Sequence, residues 1–147
     1  MADYKHILLA VDFSPENRKV IGKAQELARK DGAEITLIHV VEYTSAMYAG
    51  DIPLPEDLAL DQRLAEQAAD KLAALAKEYG MESAERRVEI GVPKREIVRV
   101  AQEIGADLIC IGSHGRHGLQ LLLGSTANGV LHMAKCDVLA VRVGEAA

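Results

Sequence analysis

Ile104-Gly-Ala-Asp-Leu-Ile-Cys-Ile-Gly112 reads as the end of one helix, a Gly-Ala-acid turn and a buried strand. A glycine stops a helix, and an unbroken apolar run of this length suits a strand covered on both faces. The same pattern occurs at Asp31-Gly-Ala-Glu-Ile-Thr-Leu-Ile-His39. Two such units in one chain point to two βα halves of a parallel sheet, and the rest of the sequence fits around them.

The chain opens on a first apolar run, His6 to Val11. Ser14 then reads as an N-cap with Pro15 at the first helical position. Val20, Ile21, Ala24, Leu27 and Ala28 follow helical spacing up to Asp31-Gly32. Ile35 to Val41 is a second strand, and Thr44 to Pro55, with its glycine and prolines, reads as a loop or lid. From Glu56 to Tyr79 one helical face carries Leu60, Leu64, Ala68, Leu72, Leu75 and Tyr79, and Gly80 terminates it. Ser83 to Ile90 holds Glu85, Arg86, Arg87 and Glu89, charges that place a strand at a sheet edge. Pro93 opens a helix with Ile97, Val100, Ala101 and Ile104 inward, stopped by Gly105. After the strand Leu108 to Ile111 come a Gly-rich loop, a helix from about Ser125 to Lys135 and a last strand, Val138 to Val143.

Strands alternating with helices predict an α/β fold: one domain over residues 1–147, a doubly wound five-stranded parallel sheet with right-handed crossovers. Ligands of such sheets lie outside the carboxyl ends of the strands, at the point where strand order reverses. Here those ends are Asp12, Val40 and Gly112, which are expected to face one crevice.

Composition narrows the functions available. Of 147 residues only Tyr4, Phe13, Tyr43, Tyr48 and Tyr79 are aromatic, so stacking on aromatic platforms has little to work with. The net charge of −5, from 17 basic and 22 acidic residues, offers no general field for nucleic acid. An anion site has to be local. No apolar stretch reaches the roughly 20 residues that span a bilayer, and no signal-peptide core follows the first residues; the expected location is cytoplasmic, without membrane contact. Cys110 and Cys136 lack CxxC spacing and are expected to be buried, reduced thiols.

The segment Gly112-Ser-His-Gly-Arg-His-Gly-Leu-Gln-Leu-Leu-Leu-Gly-Ser-Thr-Ala-Asn128 follows a buried strand and runs into a helix. Gly112 and Gly115 permit close backbone approach, and Gly124-Ser125-Thr126 lies where the next helix presents unpaired N–H groups to an anion. A helix end contributes only about 0.3–1 kcal/mol at an exposed site, so loop amides, the Ser125 and Thr126 hydroxyls and Arg116 would have to add most of the binding. Two readings of these residues stand at this point. One is a phosphate site; the other is a plain N-cap preceded by turns.

Ile7-Leu-Leu-Ala-Val-Asp12 with Phe13-Ser14, Leu37-Ile-His-Val40, Gly112-Ser-His-Gly115 with Gly124-Ser125, and Cys136-Asp-Val-Leu-Ala-Val141 occur in that order. Over essentially its full length the chain resembles the universal stress protein (UspA) family. The resemblance implies strand order 3-2-1-4-5, of the Rossmann-like, adenine nucleotide alpha-hydrolase-like kind, a homodimer joined through the last strand, and a role in stress survival. The motif of ATP-binding members is Gly-x2-Gly-x9-Gly-Ser/Thr. By that resemblance Gly112 and Gly115 would border phosphates and ribose, and Gly124, Ser125 and the Thr126 amide would hold phosphate oxygens. Asp12 would accept from the base or ribose, and Val40 and Ile111 would supply an aliphatic wall.

The chain departs from that motif by one residue, with eight between Gly115 and Gly124. The UspA-type branch shares this spacing, and some of its members hold no nucleotide and have usually lost the glycines. This chain retains them, and Gly118 can absorb a one-residue deletion. The expected ligand is therefore ATP or another adenine nucleotide, with Mg2+ bridging phosphates if it is present. The alternative is a nucleotide-free dimer serving as an adaptor for unidentified protein partners. The resemblance admits slow ATP hydrolysis or self-phosphorylation on Ser113, Ser125 or Thr126, but no nucleophile–base pair is evident and no enzyme is predicted.

Competing sites are weaker. His114 and His117 lack a third ligand at metal spacing, and His6, His39 and His132 read as packing or surface residues without a triad partner. Asp12 ends the first strand as a phosphoacceptor would, yet the third strand ends in Ile90-Gly91 rather than an Asp. No Walker Gly-Lys-Ser/Thr, GxGxxG or Ser-Gly-Gly turn is present. A hydrophobic strand at Val138 to Val143 left as an open edge would invite aggregation, and pairing with a second copy removes that edge.

Overall fold

The computed structural model describes residues 3–42, 55–113 and 124–143, with only the backbone for 55–58. Five strands and four helices alternate: β1 (His6–Ala10), α1 (Asn17–Asp31), β2 (Glu34–Val41), α2 (Pro55–Glu78), β3 (Glu85–Ile90), α3 (Pro93–Ile104), β4 (Leu108–Gly112), α4 (Ser125–Met133) and β5 (Asp137–Val141). All strand pairs are parallel, in the order β3-β2-β1-β4-β5. The central strand β1 pairs Leu9 with Leu37 on one side and with Cys110 on the other. The charged strand β3 is at the edge, as its sequence predicted.

Alternation along the strands divides the core by face. Ile7, Leu9, Leu37 and Cys110 meet Val20, Ile21 and Ala24 of α1 and Leu72 and Ala76 of α2. Leu8, Ala10, Ile38, Ile109 and Ile111 meet Ile97, Val100 and Ala101 of α3 and Ala127 and Val130 of α4. Each fully buried Leu, Ile or Val among them contributes about 1.5–3 kcal/mol. The helix stops at Gly32 and Gly105 are real left-handed caps, with φ of 70° and 71°.

Several expectations are corrected. Ser14 does not cap α1, which starts three residues later; Ser14, Pro15 and Glu16 form a lead-in turn whose carbonyls accept from Asn17, Arg18 and Lys19. The Ser14 hydroxyl is instead donated to Asp12 Oδ1, 2.7 Å away. Leu60 is 40% exposed, whereas its neighbour Asp61 is buried. The inward face of α2 is therefore firm from Ala68 onward, where the helix lies on the sheet. Cys110 is buried and its thiol is pushed up to about 12 by burial, but Cys136 is only half-buried. The segment 44–54 lies outside the described residues, and among those described no helix is long and apolar enough to cross a membrane.

Candidate functional site

The reversal of strand order falls between β1 and β4, and the chain leaving both strands builds the crevice. Past β1 the backbone stays tied to β2. The Val11 N–H donates to Ile38 O at 2.9 Å, and His39 Nδ1–H donates to Val11 O at 2.8 Å. Carrying this register forward places Val40 beside Asp12. Phe13 then takes φ of 65°, a left-handed conformation that costs a bulky residue of order 1–3 kcal/mol and occurs mostly at functional turns. Its ring lies 4.3 Å from that of His39, with Lys71 Nζ 5.9 Å from the ring centroid. The scarcity of aromatics thus conceals one ordered aromatic contact at the site's edge.

That turn fixes the Asp12 carboxylate. Oδ1 accepts from both the N–H and the hydroxyl of Ser14, at 2.9 and 2.7 Å. Asp12 is exposed, so Oδ2 is the oxygen it can offer to a ligand. At the first residue of α1, Asn17 is 5% exposed and its Nδ2 has no hydrogen-bond partner.

On the other side, Gly112 ends β4 beneath Val20 and Val143. A Cβ there would lie 3.4 Å from Val20 Cγ2 and 3.6 Å from Val143 Cγ1, ordinary van der Waals contact, so neither packing nor backbone strain among the described residues requires this glycine. Ser113 is a clasp that sequence reasoning missed. Its N–H donates to Val141 O at 2.8 Å, its carbonyl accepts from Gly124 N–H at 2.6 Å, and its Oγ accepts from Val143 N–H at 3.1 Å. It is 8% exposed, so its hydroxyl is engaged and sheltered. No residue spacing signals such a clasp, because two of its three bonds use the backbone.

Gly124 precedes α4 with φ −64° and ψ 158°, and α4 starts with no side-chain cap and no acidic residue in its first turn. The Gly124 N–H is committed to Ser113 and Asn128 makes the first intrahelical bond, which leaves the N–H groups of Ser125, Thr126 and Ala127 as the donors this helix start presents. Ser125 is exposed and Thr126 half-buried. Ile111 is 6% exposed and packs with Val40 on the α3 and α4 face, making a floor more than a wall. The structure thus places Asp12, Val40, Ile111, Gly112, Gly124, Ser125 and Thr126 at the carboxyl end of the sheet. Gly115, Arg116, His114 and His117, with Gly118, lie outside the described residues. Among the described residues, no three His, Cys, Asp or Glu side chains converge to hold a metal ion. His6 packs against Thr36 Oγ1 at 2.7 Å, and His132 is exposed.

Comparison with known proteins agrees along nearly the whole chain. Residues 3–142 match the universal stress protein family. Universal stress protein A homolog 1 of Coxiella burnetii is 39% identical over 142 residues, 97% of this chain and 99% of that protein. The solved structure of hypothetical protein MJ0577 superposes with a TM-score of 0.81 at 27% identity, covering 98% and 99% of the two chains. A universal stress protein in complex with cAMP shares the fold, with a TM-score of 0.61 at 24% identity and coverage of 95% and 97%.

Proposed function

Because the chain belongs to the universal stress protein family, we propose that it is a stress-response module that binds ATP or another adenine nucleotide at the crevice and acts as a homodimer. The observation carrying the nucleotide reading is the start of α4. Its first N–H groups are uncapped and meet no first-turn acid, at the switch point of a parallel sheet. The other residues suit the same ligand. Asp12 Oδ2 can accept from an exocyclic amine or ribose hydroxyl, and Val40 can cover one face of a base. A universal stress protein of this fold has been solved in complex with cAMP, which supports the reading of a nucleotide ligand. Mg2+ accompanying the phosphates would be held mainly by their oxygens and water. With the Ser113 hydroxyl engaged by Val143, Ser125 and Thr126 are the hydroxyls left for any phosphoryl transfer.

The purified protein, denatured and filtered, is expected to release material with an adenine spectrum, and calorimetry with Mg-ATP is expected to show binding. An empty filtrate together with no heat would reject the nucleotide and leave the adaptor reading.

The dimer rests on β5, which pairs only with β4 among the described strands and leaves its outer backbone edge open. Val138, Leu139 and Ala140 along it are half-buried. Light scattering at micromolar concentration should give twice the mass of the chain; a monomer's mass would remove β5 as the partner surface.

A further inference from the structure

The helix α4 carries a glycine, Gly129, at its fifth position, where glycine weakens a helix. The reason is a neighbour on α3. A Cβ at Gly129 would collide with Lys94 Cδ and lie 3.0 Å from its Cβ and 3.2 Å from its Cγ. Only a residue without a side chain leaves room for the lysine stem to cross α4 there.

Lys94 is the second residue of α3, and α3 and α4 both begin at the carboxyl ends of the strands. Gly129 is four residues past Ser125, about 6 Å along the helix axis. The stem up to Cδ crosses α4 at Gly129, and because helical side chains lean toward the N-terminus of their helix, the ammonium two bonds beyond has the start of α4 within its range of motion.

Nearby charge does not neutralise it. Glu96, the acid in the first turn of α3, is engaged by Arg99 at 2.8 Å and folds over Gly91, where an added Cβ would meet its Cγ at 3.0 Å. Glu89 and Glu103 are bridged by Arg87 and Arg99 in the same network. Among the described residues, Lys94 joins no ion pair.

We propose that Lys94, held across Gly129, is a specificity residue of the crevice: it reads the phosphate charge of the ligand and separates adenine nucleotides from uncharged adenosine. This rests on the nucleotide reading above. A lysine supplies a mobile point charge suited to phosphate, and its aliphatic stem packing on a glycine limits the space it samples.

The test is calorimetric titration of ATP and of adenosine into the full-length protein and two variants. Lys94→Met retains the stem and its packing; it is expected to weaken ATP binding about tenfold, as loss of a charge-assisted hydrogen bond would. Adenosine affinity should be unchanged, and ATP affinity should depend less on salt. Gly129→Ala, which displaces the stem without removing the charge, should produce the same selective loss, and Lys94→Arg should recover part of it. Equal ATP affinity in the wild type and Lys94→Met would overturn the role of Lys94, as would equal loss of ATP and adenosine. A wild-type protein that binds neither ligand would instead reject the nucleotide reading itself, and the role of Lys94 with it.

Discussion

The two ends of the sheet are built in opposite ways. At the amino ends of the strands, polar groups satisfy one another. Asp107 accepts from the N–H groups of Lys5 and His6 at 2.9 and 3.0 Å, Asp31 accepts from Tyr4 N–H at 2.9 Å, and Asp137 accepts from the Tyr4 hydroxyl at 2.8 Å. At the carboxyl ends, α4 begins without a side-chain cap, Phe13 is held at positive φ, and the buried Asn17 side-chain amide lacks a partner. Unsatisfied donors and local strain each cost of order 1–3 kcal/mol, and here they gather at one end of the molecule. One end therefore secures the fold, and the other retains binding capacity that a ligand can complete.

The sharpest way to break this contrast is Ser125→Pro. Proline is well tolerated at the first position of a helix, and Gly124 already has the extended conformation that a residue before proline prefers. The substitution removes two candidate phosphate donors, the Ser125 N–H and its hydroxyl, and little else. ATP affinity measured by calorimetry should fall tenfold or more, while the melting temperature stays within a degree or two. A large drop in melting temperature would mean that the carboxyl end also holds the fold together.

The mirror experiment is Asp107→Ala, expected to cost about 1–2 kcal/mol by leaving two strand-end amides unpaired. The melting temperature should drop by several degrees and ATP affinity should remain unchanged. A smaller effect of the same residue concerns pH. Burial acts to raise the Asp107 carboxyl, but the amides of His6 and Lys5 outweigh it and hold the group below the usual carboxylate range. Its stabilising contribution is then complete above the unfolded value near ~3.9 and is lost as pH falls through the lower folded value. Denaturation measured from pH 6 down to pH 3 should show the difference between the wild type and Asp107→Ala shrinking with acid; a constant difference would show that the carboxylate's charge has no part in it.

How much of this was legible in sequence follows from what each signal physically encodes. The strands were readable because β1 and β4 are covered on both faces and so are apolar throughout, and the helix ends because Gly32 and Gly105 adopt a conformation other residues resist. Helix starts were less readable. Ser14-Pro15 has the composition of a cap, yet the nearby Asp12 carboxylate competes for the serine's hydrogen bonds and the helix begins later. Leu60 kept helical periodicity beyond the point where α2 lies against the sheet. In the candidate site, Gly112 and Gly124-Ser125-Thr126 were visible because glycine and small hydroxyl residues between a buried strand and a helix start form a short, recognisable string. Lys94 was not, since its placement depends on a glycine of another helix 35 positions away.

The Ser113 clasp bears on the shortened motif. By joining its carbonyl to the Gly124 N–H, it pins both ends of the ten-residue interval between them, whatever that interval contains. The entropy of closing a chain segment grows only with the logarithm of its length, so one residue more or fewer changes it by about 0.1 kcal/mol. With its ends fixed independently of its length, the segment can gain or lose a residue at almost no thermodynamic cost to the clasp, and the spacing between Gly115 and Gly124 becomes a variable that evolution can adjust to the shape of what binds.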